Sequence, residues 1–87
     1  MFVLIVYDIA EERITRVHNF LKTYLHWIQN SVFEGHITDA QLDAIKTGLK
    51  GLIDVEYDAI YLFQIKNPRH VKKEIMGIER GDSSIII

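Results

Sequence analysis

A single carboxylate, Asp8, ends an unbroken apolar and aromatic run over residues 2–7. A side chain at a strand end is held rigidly at the rim of a sheet, where functional sites of mixed α/β folds often form. One carboxylate is a poor site for Mg²⁺, which prefers octahedral coordination by oxygen. Two copies of Asp8 related by a two-fold axis make a better site, so the metal hypothesis requires a symmetric dimer. The simpler alternative is an acid that caps the following helix.

A cluster of basic side chains occurs later in the chain, with no acid between positions 66 and 73. Its members are Lys66, Arg69, Lys72 and Lys73. Such a cluster is either a solvated surface or a site that binds phosphate groups. Arg16, on the polar face of the first predicted helix, and Arg13, at the start of that helix, extend the second interpretation. The net charge of −2 does not oppose it, because binding depends on the local potential.

Other chemistries have little support in the residue pattern. The four histidines show neither HxH nor HxxxH spacing, and the absence of cysteine excludes a Cys-ligated zinc site. Ser31 has no evident His–Asp pair, and the chain lacks a Gly-rich phosphate loop.

Composition predicts one cytoplasmic domain spanning residues 1–87. No apolar stretch is long enough to cross a membrane, and no basic residue precedes the first apolar run, as a signal peptide would require. Because 48% of this small chain is hydrophobic, self-association is expected to add burial.

The periodicity of apolar residues predicts an α+β order. Strands are predicted over residues 2–8 and 59–65, and a long strand, bent or split near Asn30 and Ser31, over 27–37. Helices are predicted over 11–25 and 39–53, the second beginning with a capping box formed by Thr38 and Gln41. The order favours a ferredoxin-like sandwich, in which a mainly antiparallel sheet carries two helices on one face.

The C-terminal part of the chain predicts short strands. One lies around residues 74–78, and another is formed by Ile85, Ile86 and Ile87. An unpaired apolar strand is an aggregation hazard, so we expect the last three residues to pair with the sheet of a dimer mate or of another protein. A strand within its own sheet is the alternative.

Several motifs, in this order and spacing, resemble the small CRISPR-associated protein two family over nearly the full length. The motifs are Tyr7-Asp8-Ile9, Gln29-Asn30-Ser31-Val32-Phe33-Glu34-Gly35, the helix start Thr38–Leu42, Leu52-Ile53-Asp54, Asp58 before a strand, and the Ile-rich C-terminus.

The resemblance implies a ferredoxin-like homodimer that bridges dimers of the larger CRISPR integrase subunit and binds DNA for spacer acquisition. It also implies a metal-dependent endonuclease acting on single-stranded RNA or double-stranded DNA. Asp8 and Tyr7 would be catalytic, and Mg²⁺ would be shared between two copies of Asp8. Ser31 and Phe33, together with Ile85–Ile87, are assigned to interfaces.

The chain departs from the family pattern at two arginine positions, which here are Trp27 and Tyr61. If those arginines bind phosphate, their replacement counts against nuclease activity more than against DNA bridging. Two other functions are alternatives: a toxin-type ribonuclease of the virulence-associated D kind, and a regulatory module that binds a small ligand. The Ser-Val-Phe-Glu-Gly and Thr-x-x-Gln-Leu motifs favour the adaptation role over the toxin, and no motif supports the ligand-binding module.

Overall fold

Residues 1–81, the part of the chain that the computed structural model describes, form four strands and two α-helices in the order strand, helix, two strands, helix, strand. The strands are β1 (Phe2–Asp8), β2 (His26–Gln29), β3 (Val32–His36) and β4 (Ala59–Ile65), and the α-helices are α1 (Glu11–Lys22) and α2 (Asp39–Leu52). A 3-10 helix, Pro68–His70, follows β4. Within the described residues, no helix combines the length and the apolar character needed to cross a bilayer.

The four strands form one sheet in the order β2-β3-β1-β4, with every neighbouring pair antiparallel. This is the predicted ferredoxin-like α+β arrangement. The first strand lies inside the sheet, between β3 and β4.

One face of the sheet is covered by both helices and forms the core. Alternation along β1 directs Val3, Ile5 and Tyr7 to this side, and none is more than 5% exposed. They pack with buried residues of both helices, which are Val17, Leu21, Leu42, Ile45 and Leu49. We call the opposite side the open face. The residues of β1 and β4 that alternation places there are Phe2, Leu4, Val6, Asp8, Ala59, Tyr61, Phe63 and Ile65.

The capping box at the start of α2 is confirmed. The Thr38 hydroxyl accepts a hydrogen bond from the Gln41 N–H at 3.1 Å, and the Gln41 side chain accepts one from the Thr38 N–H at 2.9 Å. The helix ends at Leu52, one residue before the predicted end.

Helix α1 ends about one turn earlier than predicted, so the expected extent of 11–25 is wrong at its C-terminal end. The Thr23 hydroxyl donates to the Phe20 carbonyl at 2.7 Å, which satisfies one of the last helical acceptors. Leu25 is buried in the core and leads directly into β2. If α1 continued to residue 25, no residues would remain to connect it to β2, which begins at His26.

The region predicted as one long strand, bent or split, is split into a hairpin of β2 and β3. Asn30 lies in the connecting turn with φ of 41°, a left-handed conformation that Asn adopts more readily than most residues. Gly35 permits a close approach of the backbone to Leu25, because a Cβ at position 35 would lie 3.0 Å from Cδ2 of Leu25.

The predicted strand around residues 74–78 is wrong, since residues 71–80 contain no regular secondary structure. Gly77 has φ of 94°, which breaks the extended conformation that a strand requires. The segment runs to the β2 side of the sheet, where Gly81 lies so close to the Trp27 carbonyl that no Cβ would fit. The predicted strand Ile85–Ile87 lies outside the described residues.

Candidate functional site

Asp8 is the last residue of β1 and lies directly opposite Ala59 of β4, on the open face. Its side chain is exposed, and residues 1–81 provide it with no hydrogen-bonding or ionic partner. The alternative in which Asp8 caps α1 is wrong, because the N-cap is Ala10 and this end of the helix has no side-chain cap. The carboxylate is therefore free to bind a ligand.

Tyr7 lies on the other side of the sheet from Asp8. Its ring is buried and stacks with Phe33 at a centroid distance of 6.3 Å. Burial raises the pKa of the Tyr7 phenol above its usual range. The structure therefore does not bring together the two residues that were expected to be catalytic.

Aromatic and aliphatic side chains surround Asp8 on the open face. Tyr61 lies opposite Val6 and Phe63 lies opposite Leu4, and these two aromatic residues are 58% and 53% exposed. Adjacent, exposed aromatic residues on a sheet face are typical of a surface that binds another protein.

Arg13 does not present its guanidinium to solvent for phosphate binding. Its Nε donates to Asp58 Oδ2 at 2.6 Å, and its Nη2 donates to Asp58 Oδ1 at 2.9 Å. The Tyr57 ring lies 5.9 Å from the guanidinium carbon. The predicted nucleic-acid-binding role of Arg13 is thus corrected to a structural ion pair, because a buried carboxylate occupies its donors.

Asp58 has a role in this region that the sequence did not indicate. Its side chain is completely buried and also accepts hydrogen bonds from the Ala10 and Asp54 N–H groups, each at 2.9 Å. The hydrogen bonds from Arg13 hold the pKa of Asp58 well below its usual range. One signal was present in the chain: the N3 position of α1 is Arg13 rather than the Glu or Gln of a capping box, so the N–H of the N-cap residue Ala10 needs an acceptor from elsewhere.

The basic cluster begins at the far end of the sheet from Asp8. Lys66 follows Ile65, which pairs with Phe2, so roughly 20 Å of strand separates it from the Asp8 end. Lys66 and Arg69 are exposed and have no ion-pair partner among residues 1–81. Lys72 lies 3.6 Å from Glu74, and Lys73 lies 2.7 Å from Glu34.

Arg16 is exposed on α1 and available to bind a ligand. It belongs to the helical layer, whereas Asp8 lies on the open face. Within one protomer, the predicted phosphate-binding residues therefore do not gather around Asp8.

The predicted interface residues fall in different places. Phe33 is completely buried in the core, where it packs edge-to-face with His18 at 5.0 Å, so its assignment to an interface is wrong. Ser31 is half-buried in the hairpin, and its carbonyl accepts a hydrogen bond from the Tyr7 N–H at 3.1 Å.

Trp27 and Tyr61, which stand where the family pattern has arginine, have different surroundings. Trp27 packs against the core, and its indole N–H donates to the Asn30 carbonyl at 3.0 Å. Tyr61 lies on the open face. Trp27 therefore stabilises the hairpin, while Tyr61 adds to the exposed aromatic surface.

A divalent cation has a limited donor set in one protomer. Among residues 1–81, no three His, Cys, Asp or Glu side chains group in a way that could hold a metal ion. The free carboxylate of Asp8 is a hard oxygen donor of the kind Mg²⁺ prefers, but it is a single one. The residues fit the metal only when a second copy supplies another carboxylate.

The strand order and the two helices on one face define a ferredoxin-like α+β domain, with a free carboxylate at the rim of its uncovered sheet face. The family model for CRISPR associated protein Cas2 matches residues 1–73, and the chain belongs to this family.

Individual relatives agree with this assignment. The chain is 39% identical over its whole length to a protein from Methanothermobacter thermautotrophicus, of which it covers 96%, and 41% identical to one from Thermococcus kodakarensis, of which it covers 100%. Both relatives are named CRISPR-associated endoribonuclease Cas2. The crystal structure of Streptococcus pyogenes Cas2 superposes with a TM-score of 0.72 at 32% identity, covering 85% of this chain and 99% of that one.

Proposed function

We propose that this protein acts in CRISPR adaptation as a homodimer that bridges dimers of the larger integrase subunit and binds protospacer DNA. We further propose that the dimer hydrolyses phosphodiester bonds of RNA or DNA, as the name endoribonuclease given to its relatives suggests. The family match favours this role over the toxin-type ribonuclease.

The observation that carries the proposal is the free Asp8 carboxylate at the rim of the open face. If two open faces associate through Tyr61 and Phe63, both copies of Asp8 lie at the same seam. Two carboxylates would then hold Mg²⁺, which supplies charge stabilisation and an activated water when bound. Lys66, Arg69 and Arg16 would bind phosphate groups, which agrees with their exposure.

Replacement of Asp8 tests the catalytic part. We expect Asp8→Asn to lower the Mg²⁺-dependent cleavage of single-stranded RNA and duplex DNA by at least about 100-fold. The neutral amide of Asn cannot supply the negative charge with which the carboxylate would bind Mg²⁺. Asp43→Asn, which changes an exposed acid of α2, is the matched control. Unchanged cleavage by Asp8→Asn would refute a metal role for this residue.

The dimer part has its own test. Phe63→Glu places a charge on the open face, and we expect it to convert the protein to a monomer in analytical ultracentrifugation and to abolish spacer integration with the partner subunit. Val55→Glu, at an exposed position outside the sheet, controls for the added charge. A Phe63→Glu protein that remains dimeric would place the interface elsewhere.

A further inference from the structure

The Asp58 carboxylate binds the chain just beyond Asp8, next to the cross-strand partner of Asp8. It accepts a hydrogen bond from the N–H of Ala10, two residues beyond Asp8. It also belongs to the residue that precedes Ala59, the cross-strand partner of Asp8. One buried group therefore fixes the exit of β1 and the start of β4.

Arg13 closes this arrangement from the first turn of α1. Its two hydrogen bonds to Asp58 link the helix to the end of the sheet, while the Asp54 N–H links the loop before β4 to the same carboxylate. Asp8 itself has no side-chain partner among residues 1–81, so the direction of its carboxylate depends on the backbone that Asp58 holds.

We infer that Arg13 and Asp58 are positioning residues for Asp8, which keep the end of β1 aligned with β4 so that the carboxylate projects from the open face. This inference rests on the proposed function, in which Asp8 binds a divalent cation. It differs from a phosphate-binding role for Arg13, since neither residue would touch the substrate.

A role in stability alone explains the pair poorly. A Glu or Gln at position 13 could bind the Ala10 N–H locally, as the Gln41 side chain binds that of Thr38, without an ion pair between positions 13 and 58. A buried ion pair contributes little net stability, because desolvation of both ions offsets their attraction. The location of the pair beside Asp8 is the property that a local cap would not reproduce.

Hydrogen exchange separates positioning from general stabilisation. We expect Asp58→Asn and Arg13→Lys to accelerate amide exchange at residues 7–10 and 58–60 at least about tenfold more than at residues 2–4 and 63–65. Ile45→Val, a core change distant in sequence from both strands, should affect both ends equally. If Asp58→Asn does not fold, Arg13→Lys carries the test, because it keeps both charges. Equal acceleration at both ends in the folded variants would overturn the inference.

Binding of Mn²⁺ to the intact dimer, measured by electron paramagnetic resonance, provides a second readout. We expect Asp8→Asn to abolish binding, and Arg13→Lys and Asp58→Asn to weaken it about tenfold or more, as is usual for groups that orient a metal ligand. Wild-type affinity in folded Arg13→Lys and Asp58→Asn would also overturn the inference. A wild-type protein that binds no Mn²⁺ but shows the uneven exchange would refute the metal site while supporting the positioning role.

Discussion

The two ends of the sheet start their helices in different ways. At the Phe2 end, α2 begins with a capping box whose members, Thr38 and Gln41, are three residues apart. At the Asp8 end, the N-cap residue of α1 is Ala10, which has no capping side chain, and its N–H donates to Asp58, 48 residues away. The first end is built by local interactions. The second depends on the tertiary fold, so the geometry of the candidate site depends on the fold as well.

The exposed charges differ between the same two ends. At the Asp8 end, Glu11 and Glu12 occupy the first turn of α1, whereas Lys66 and Arg69 are exposed at the other end. An acidic end attracts cations and a basic end attracts phosphate. In the proposed function, cleavage and nucleic-acid binding therefore use separate surfaces of one protomer, and a dimer would combine them.

The largest expected effect is that of removing the Asp58 carboxylate. We expect Asp58→Ala to lower the melting temperature by more than about 10 °C, because it leaves the Arg13 charge and two N–H groups without their acceptor. Thermal unfolding followed by circular dichroism measures this. A change of less than about 3 °C would mean that the two ends of the sheet are equally independent of long-range interactions.

Low pH should remove most of the stability that the ionised Asp58 carboxylate contributes to the fold. The folded-state pKa of Asp58 lies below its ordinary value, so its contribution is complete above the ordinary pKa of about 4 and declines as the pH falls toward the folded value. The difference in melting temperature between wild type and Asp58→Asn should therefore narrow from pH 5 to pH 2. A constant difference would contradict the ionic character of this end.

Removal of the exposed cations should weaken binding without affecting the fold. We expect the double variant Lys66→Ala, Arg69→Ala to have a lower DNA affinity. The slope of log binding constant against log salt concentration should also become less steep by about 0.9 for each phosphate that is no longer neutralised. Asp8→Asn should leave affinity unchanged or raise it slightly. If Asp8→Asn lowers affinity as much as the double variant does, the separation of the two surfaces is wrong.

The local cap should matter less than the distant one. Thr38→Ala is expected to destabilise the protein by about 1 kcal/mol, which corresponds to roughly 4–8 °C in melting temperature for a domain of this size. Thr38→Ser, which retains the hydroxyl, is the control. An effect of Thr38→Ala larger than that of Asp58→Ala would reverse the comparison.

The smallest expected effect is at Lys73. Its ion pair with Glu34 has a distance of 2.7 Å, but the Lys73 side chain remains 30% exposed. We expect Lys73→Ala to cost less than about 1 kcal/mol in chemical denaturation, because partly solvated pairs contribute little. A larger cost would show that the segment of residues 71–80 stabilises the sheet.

The elements defined by local patterns could be predicted from the sequence. The apolar run of β1, the Thr38–Gln41 spacing and the Pro68 that follows β4 each indicate their structure within a few neighbouring residues. The position of Asp8 at a sheet rim followed from the same reasoning, because a strand end needs no long-range information.

The remaining features depend on residues distant in sequence. The role of Arg13 could not be predicted, because its partner Asp58 lies 45 residues away and resembles a surface acid beside Asp54 and Glu56. The burial of Phe33 was missed because both faces of the hairpin carry apolar residues. The strand expected near residue 76 does not form because Gly77 has a positive φ angle, which the pattern of side chains does not reveal.

Because side chains along β1 alternate between the two faces of the sheet, the site depends on whether the number of residues in this strand changes by one or by two. Tyr7 and Asp8 are neighbours, yet one contributes to the core and the other to the open face. Deletion of a single codon between Phe2 and Tyr7 that kept the upstream register would exchange the faces of the two residues, so that the carboxylate of Asp8 enters the core and the phenol of Tyr7 lies on the open face. Deletion of two codons would restore the faces in a shorter strand. Length variation in this strand should therefore be accepted in steps of two residues.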